Sequence, residues 1–418
     1  MKLNRYFFIA KYIIIFTLNF SLYADVSYKK IDEHAANVPK KYEKSLDELV
    51  KYLIKPANNN HEKTRAIFKW ITLNIEYDTK SFFSGRSEIP SEKSVLRSKR
   101  AVCEGYAFLF NKMSELANIK SRKIQGYSKG YGYSAGSDIF NKPNHAWNAV
   151  EIEGKWRLLD ATWGAGYIDE KKKFVRRFQE HYFLTDPEKF IYDHYPVEDK
   201  WQLLEKPVDK NQYLNFAYLR PSFFYSGLSI LNYPEGTIKA YKEINVQLKS
   251  EKNALIMARL IKNESPLAEN LTFTQKNNDI YNIGAYLPQK GEYILRIYSK
   301  LKTQKGLYEW ALDYKVIVEK KADEAALFPL IYNAFRESDS FLYEPMNKKL
   351  KKNQSAYFKL KTPRAFRVVV IDGSSFNELK KKGDIFEGEI KIKSNDVVIA
   401  AQFPGKKSFD HLLKYTGH

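Results

Sequence analysis

The chain contains a single cysteine, Cys103, among its 418 residues. One cysteine cannot form an internal disulfide, so a fold held together by disulfides is excluded. The lone thiol is therefore a reactive group, a thiol that pairs with a partner, or a small buried side chain. Its sequence context has to decide between these alternatives.

Long apolar runs are also scarce, and after residue 24 no stretch is apolar enough to span a membrane. The first 24 residues differ, because Lys2 and Arg5 precede an apolar run that ends at the small residue Ala24. This pattern predicts a signal peptide of bacterial type and export to the periplasm or the exterior. An uncleaved membrane anchor is the alternative.

Acidic residues are outnumbered, with 49 Asp and Glu against 69 Lys and Arg, which gives a formal net charge of +20. Such a charge favours contact with an anionic surface, such as that of a cell envelope, although a basic soluble surface is the simpler interpretation. The basic residues are scattered, and no compact arginine cluster alternates with aromatic residues. We therefore predict no nucleic-acid partner.

The length and the change of pattern along the chain predict several domains. After a polar N-terminal segment (25–60), whose role is open and includes covering a cleft, residues 61–207 mix helical and strand periods. Residues 208–321 and 322–418 contain short alternating runs between turn signals, which is typical of β-sandwiches. The predicted fold class is α+β, with a mixed core followed by two all-β, sandwich-like domains.

Within the core, the stretch RAVCEGYAFLF places Cys103 at the start of a predicted helix that ends near Ala117. The N–H groups and the dipole of a helix N-terminus stabilise a thiolate, which is the nucleophilic form of a thiol. The preceding segment, residues 79–99, is predicted to be a loop. A nucleophilic thiol still needs a general base.

His145 is the best candidate for that base, and Asp160 is its candidate partner. Two strands, His145–Ile152 and Lys155–Thr162, are predicted to form a hairpin through the two-residue turn at Glu153 and Gly154. In this register His145 and Asp160 are diagonal neighbours on one face. A carboxylate bonded to one ring nitrogen fixes the tautomer of a histidine and stabilises its imidazolium form. Each residue alone has a structural alternative, but the three together favour catalysis.

These residues resemble a known family. Cys103 in RAVCEGYAFLF, His145 and Asp160 in NHAWNAVEIEGKWRLLDATWGAG, and the upstream IFKWITLNIEYD are similar to motifs of the transglutaminase-like superfamily. HYFLTDPEKFIYDHYPVEDKWQLLEKP and several later β segments resemble its kyphoscoliosis peptidase-like branch. The resemblance implies a papain-like transglutaminase core with a Cys–His–Asp triad.

The resemblance also implies the roles: Cys103 as nucleophile, His145 as base and acid, and Asp160 as the orienting carboxylate. Trp147 and Trp163 are expected to pack under the site, and His181 and His194 to be structural. We predict no metal and no cofactor. The implied function is thioester acyl transfer on a protein or peptide substrate, such as a cell-wall peptide, with hydrolysis preferred to transamidation. The alternative is a non-catalytic scaffold or binding protein at the cell envelope.

Overall fold

The computed structural model describes residues 28–85, 91–320 and 327–418. The predicted signal peptide, residues 1–24, and the predicted domain boundary at 321/322 lie outside these ranges. The helices are α1 Lys29–Ala36, α2 Leu46–Leu53, α3 Asn60–Asn74, α4 Thr79–Ser84, α5 Glu92–Ser98, α6 Cys103–Leu116, α7 Ala161–Ala165, α8 Pro187–Phe190, α9 Lys210–Asn215, α10 Pro221–Tyr225 and α11 Asn333–Glu337. Across the described ranges, no helix has the length and apolarity needed to cross a bilayer.

Several helices of the core begin at a residue whose side chain caps their free N–H groups. Asn59 accepts a hydrogen bond from the Glu62 N–H and so starts α3. The prediction of a loop over residues 79–99 is wrong, because Asp78 and Ser91 cap two short helices, α4 and α5, within that stretch. Short polar capping residues look like loop signals when no apolar period accompanies them.

The N-terminal segment is part of the core. Ile31 and Ala35 of α1, together with the apolar face of α2, are buried in the same hydrophobic cluster as α3 and α6. The buried guanidinium of Arg65 on α3 donates hydrogen bonds to both carboxylate oxygens of Asp32 on α1, at 2.7 and 2.8 Å. The same guanidinium also donates hydrogen bonds to the carboxylate of Glu180, which lies between α7 and α8.

The strands of the core are β1 Glu76–Tyr77, β2 Arg100–Ala101, β3 Ser121–Ser128, β4 His145–Ile152, β5 Lys155–Leu159, β6 Gly166–Ile168, β7 Phe174–Arg176 and β8 His194–Pro196. Four of them form an antiparallel sheet in the order β5-β4-β3-β8. The predicted hairpin register is confirmed, since Ile152 pairs with Lys155 and Asn148 with Leu159. The second strand ends earlier than predicted, because Asp160 caps the N-terminus of α7.

The first β unit, residues 218–318, has two packed sheets. Its strands are β9 Tyr218–Leu219, β10 Leu228–Ile230, β11 Thr237–Ala240, β12 Glu243–Ser250, β13 Ala254–Lys262, β14 Ser265–Pro266, β15 Thr272–Asn277, β16 Ile280–Tyr286, β17 Gly291–Leu301 and β18 Glu309–Val318. The sheet orders are β10-β12-β16-β15 and β11-β18-β17-β13-β14, with β9 also on β18. Alternate residues along β12 are buried, as a sandwich requires.

The second β unit, residues 330–417, repeats this architecture. Its strands are β19 Leu330–Ile331, β20 Phe341–Glu344, β21 Lys349–Leu350, β22 Ser355–Lys361, β23 Arg367–Asp372, β24 Ser375–Glu378, β25 Lys380–Lys382, β26 Ile385–Lys391, β27 Asp396–Gln402 and β28 Asp410–Gly417. They form sheets in the orders β19-β28-β27-β23-β24 and β20-β22-β26-β25. The predicted fold class, a mixed core followed by two all-β units, is confirmed. The domain boundaries at 60/61, 207/208 and 321/322 stay predictions.

Candidate active site

Cys103 is the first residue of α6 and is partly exposed. The preceding strand β2 pairs in parallel with β1, which holds the chain in place immediately before the cysteine. The residue at the N-cap, Val102, makes no capping hydrogen bond through its side chain. The positive end of the helix dipole therefore lies at the thiol, and no N-cap side chain occupies the free N–H groups there.

His145 opens strand β4 and is almost completely buried. Its Nε2 lies 2.7 Å from Oδ2 of Asp160, which is hydrogen-bonding distance. Burial disfavours the imidazolium, but the Asp160 carboxylate and the hydrogen bonds to Asp160 and to the Cys103 side chain outweigh it, so the pKa of His145 is raised to about 10. Because Asp160 occupies Nε2, the other ring nitrogen is left for the thiol.

Asp160 lies where β5 ends and α7 begins. Its Oδ1 accepts hydrogen bonds from the backbone N–H groups of Thr162 and Trp163, at 2.7 and 3.1 Å. Burial opposes the ionised form of the side chain, but the interactions with His145 and His194 outweigh it, and the pKa of Asp160 lies well below its usual range. The structure thus brings Cys103, His145 and Asp160 into one chain of hydrogen bonds.

His194 also belongs to this chain of hydrogen bonds, and the sequence analysis missed it. Its Nε2 lies 3.1 Å from Oδ2 of Asp160, and its Nδ1 lies 2.6 Å from Oδ1 of Asp193. Asp193 in turn accepts a hydrogen bond of 3.0 Å from the Tyr182 hydroxyl. The sequence predicts only a structural role for His194, but the pairing of β8 with β3, on the side opposite to β4, places it at hydrogen-bonding distance from Asp160. The adjacent Asp193–His194 pair is the one sequence signal that points to it.

The remaining aromatic residues that the sequence singles out are two tryptophans and His181. Trp147 and Trp163 pack against His145, with ring centroids 6.0 and 5.2 Å from its imidazole, as expected. His181 stacks on Phe224 at 4.9 Å, and burial lowers its pKa to about 4. We interpret His181 as structural.

Tyr77 lines the side of the candidate active site that carries Cys103. It pairs with Ala101, two residues before Cys103, and its ring centroid lies 6.4 Å from that of Tyr106, one turn after Cys103. Burial raises the pKa of Tyr77, and the nearby Cys103 and Tyr106 side chains add to that rise. Tyr77 is therefore neutral at physiological pH.

The ligand atoms of His145, Asp160 and His194 lie within 4.8 Å of one another, a spacing that a metal ion would tolerate. Both imidazoles already hydrogen-bond the carboxylate. Hydrogen bonding therefore accounts for the cluster without a metal ion.

Two family models match the chain. Residues 47–161 match the transglutaminase-like superfamily, and residues 210–329 match the KY-like, immunoglobulin-like domain. Human kyphoscoliosis peptidase is 34% identical over 289 residues, which cover 69% of this chain and 42% of that protein. Hillarin of Drosophila melanogaster is 30% identical over 232 residues, covering 52% of this chain and 28% of its own length.

The sequence match and the site together define the class. The chain belongs to the transglutaminase-like superfamily. Its KY-like, immunoglobulin-like domain places it in the branch of the kyphoscoliosis peptidases, as the resemblance predicted. The chain spans about two fifths (42%) of the length of the human and mouse relatives.

The prediction of a bacterial-type exported protein is wrong. The matching relatives are eukaryotic proteins that are not of the bacterial secreted type, and they include cytokinesis protein 3 of Schizosaccharomyces pombe, 21% identical over 49% of this chain and 23% of its own. The prediction of export was based on the apolar N-terminal residues alone. The expectations of a cell-wall peptide and an envelope surface depended on export. Transglutaminase-like enzymes act on protein substrates, and only this coarser statement is supported.

Proposed function

We propose that the protein is a cysteine enzyme that transfers the acyl group of a protein or peptide substrate through a thioester on Cys103. The observation that carries this proposal is the buried 2.7 Å contact between His145 and Asp160, with His145 also hydrogen-bonded to Cys103. A thiol at a helix start and an imidazole oriented by a carboxylate are the groups that nucleophilic acyl transfer requires.

The proposed reaction has two stages. The Cys103 thiolate forms a bond to the substrate carbonyl carbon, and the C–N bond breaks as the His145 imidazolium gives its proton to the leaving amine. In the second stage His145 takes a proton from water, the resulting hydroxide attacks the thioester, and the thiolate leaves. Hydrolysis is preferred to transfer onto an amine because the human and mouse relatives are named peptidases.

The Cys103 backbone N–H at the helix start is the proposed donor to the oxyanion of the tetrahedral intermediate. Asp160 stays ionised throughout, since two backbone N–H groups and His145 hold its charge. It orients His145 and stabilises its imidazolium form.

The rival function is a non-catalytic scaffold in which the β units bind a partner. Its support is that the two β units, residues 218–318 and 330–417, make up nearly half of the chain. Such a scaffold would have the same fold, and its Cys103 thiol would be unreactive.

The deciding experiment is the rate of Cys103 alkylation by iodoacetamide against pH in the folded protein, compared with His145→Ala. The enzyme requires fast labelling at pH 6, where an ordinary thiol with a pKa of about 8.5 is almost entirely protonated. The same labelling should fall at least about tenfold in the variant. Labelling that begins only when the protein is denatured would contradict the proposal and favour the scaffold.

A further inference from the structure

Three aromatic side chains, Phe82 and Phe83 of α4 and Tyr131 after β3, form an exposed group that we term the aromatic cluster. Their fractional exposures are 38%, 40% and 48%. The ring centroids lie 5.1 Å apart for Phe82–Phe83, 6.3 Å for Phe82–Tyr131 and 5.4 Å for Phe83–Tyr131, all in edge-on geometry. Contiguous exposed apolar surface of this kind marks a binding site more often than isolated exposed rings do.

One side of the aromatic cluster continues into the wall beside Cys103. The Phe82 ring contacts the buried ring of Tyr77 at a centroid distance of 5.7 Å. Tyr77 is paired with Ala101, two residues before the cysteine. The cluster is therefore about one ring away from the thiol, a distance that one or two residues of an extended peptide would span at roughly 3.5 Å each.

The other side continues toward His145. Gly130, next to Tyr131, lies so close to the Trp163 indole that an added Cβ would be 3.1 Å from it. The Trp163 ring in turn packs 5.2 Å from the His145 ring. The aromatic cluster thus joins the helical part that carries Cys103 to the sheet that carries His145, where a bound acyl group has to lie.

The turn beside the cluster, residues 169–173, carries two acidic and three basic side chains, which give it a net charge of +1. The Lys172 ammonium lies 5.0 Å from the centre of the Phe83 ring. Lys171, Lys172 and Lys173 are all exposed in the turn between β6 and β7. A peptide with an acidic residue near its apolar side chain would complement this turn.

We propose that the aromatic cluster binds an aromatic side chain of the substrate, one or two residues from the carbonyl that Cys103 attacks, and that the lysine turn attracts a carboxylate of the same segment. This inference rests on the proposed function and specifies its substrate: a polypeptide segment with adjacent acidic and aromatic residues. Edge-on aromatic contacts and burial of the substrate ring supply the preference.

The test uses peptidyl acyloxymethyl ketones, which alkylate Cys103 only after the peptide part binds. Acetyl-Asp-Phe-Ala, acetyl-Asp-Ala-Ala and acetyl-Asn-Phe-Ala derivatives, in which the varied Phe or Ala lies one residue before the attacked carbonyl, are compared by the rate of Cys103 labelling, measured by intact-protein mass spectrometry. We expect the Phe probe to react about tenfold or more faster than the Ala probe. The Asp probe should exceed the Asn probe by about two- to fivefold.

Variants assign the preference to the cluster. Phe83→Ala and Tyr131→Ala should bring the Phe-to-Ala ratio close to one. The control Phe376→Ala, which removes a ring that is 63% exposed in the second β unit, should keep it. Each rate is referred to the iodoacetamide rate of the same protein, which corrects for any change in the thiol itself.

The outcomes separate the two proposals. A normal iodoacetamide rate with a Phe-to-Ala ratio near one, or a ratio that both variants preserve, overturns the aromatic site and leaves the proposed function standing. Equal acceleration of both probes in the variants also overturns the aromatic site, because the rings would then obstruct access to Cys103 instead of binding the substrate.

If iodoacetamide does not label native Cys103, the proposed function fails. Titration of Cys103→Ser with acetyl-Asp-Phe-amide and its Ala counterpart, followed by NMR, then tests the binding site alone, and equal affinities would refute it.

Discussion

Asp160 accepts hydrogen bonds from the backbone at Thr162 and Trp163 on one oxygen and from two imidazoles on the other. These contacts restrain the carboxylate in position, so they also fix the orientation of His145. Because the side chain is buried, water cannot replace a donor that is lost. The reactivity of Cys103 therefore depends on a residue that is expected never to touch the substrate.

We expect Asp160→Asn to lower both the alkylation rate of Cys103 and any peptide hydrolysis by about 10²–10⁴-fold. The amide would donate to Nε2 of His145 and leave the proton on the nitrogen that has to accept it from the thiol. The measurement is the pH profile of labelling beside Asp372→Asn, a control that changes another buried aspartate far along the chain. Full labelling in Asp160→Asn would contradict the assigned role.

His194→Phe should destabilise the protein by about 2–4 kcal/mol, because it removes one hydrogen-bond donor from each of the buried carboxylates of Asp160 and Asp193. His181→Phe is the matched control. Its ring stacks on Phe224, and burial lowers its pKa to about 4, so it is neutral at pH 7. Urea unfolding at pH 7 measures both variants. Equal losses of stability would show that burial, not the hydrogen bonds of His194, accounts for the effect.

At the scale of elements, strand β3 organises the site. Gly126 on β3 pairs with His145 on one side and with Pro196 of β8 on the other, so one strand positions both histidines. The sheet can close here only because Gly126 lacks a side chain. An added Cβ would lie 2.3 Å from both the Trp147 ring and the Tyr195 carbonyl oxygen.

Gly126→Ala should therefore lower the free energy of unfolding by about 2–3 kcal/mol, since a backbone carbonyl cannot move aside as a flexible side chain can. Cys103 labelling should slow as well, because β8 and His194 would be displaced. The control is Gly388→Ala in β26, where the new Cβ would meet the flexible Leu379 side chain at 3.1 Å. If both variants unfold at the same urea concentration as the unmodified protein, the packing argument fails.

At the scale of the whole molecule, a buried lysine joins the core to the segment that leads into the first β unit. The Lys129 ammonium donates a hydrogen bond of 2.9 Å to the Tyr213 carbonyl oxygen, and the Lys129 carbonyl oxygen accepts one of 2.7 Å from the Tyr218 hydroxyl. Burial lowers the pKa of Lys129 to about 7, although the charge of Asp193 partly opposes this. The contact between the two parts therefore depends on pH.

A pKa that is lower in the folded than in the unfolded state penalises the charged form only in the folded protein. Its contribution to stability is present above the unfolded pKa of about 10.4 and is lost as the pH falls toward 7. The free energy of unfolding should thus rise between pH 7 and 9.5, by up to about 1.4 kcal/mol per unit.

Lys129→Met should flatten this rise, because the titrating group is removed while most of its apolar volume is kept. The exposed lysine variant Lys380→Met is the control. Urea unfolding across this pH range is the measurement. An unchanged slope in Lys129→Met would assign the pH dependence to other groups.

The helix starts and hairpin registers of this protein could be predicted from neighbouring residues alone. The helix that starts at Cys103 and the register of the hairpin that begins at His145 follow from short-range periodicity and a two-residue turn. These features bring His145 close to Asp160, because only 15 residues separate them. The alternating runs of the two β units were predictable for the same reason.

The meeting of distant segments at the site depends on long-range packing. His194 lies 34 residues from Asp160 and arrives through a strand pairing that no local period encodes. The aromatic cluster forms because two separate strand pairings bring α4 and the loop after β3 together. Such contacts depend on the packing of the whole chain, whereas helix starts and hairpin registers depend on neighbouring residues.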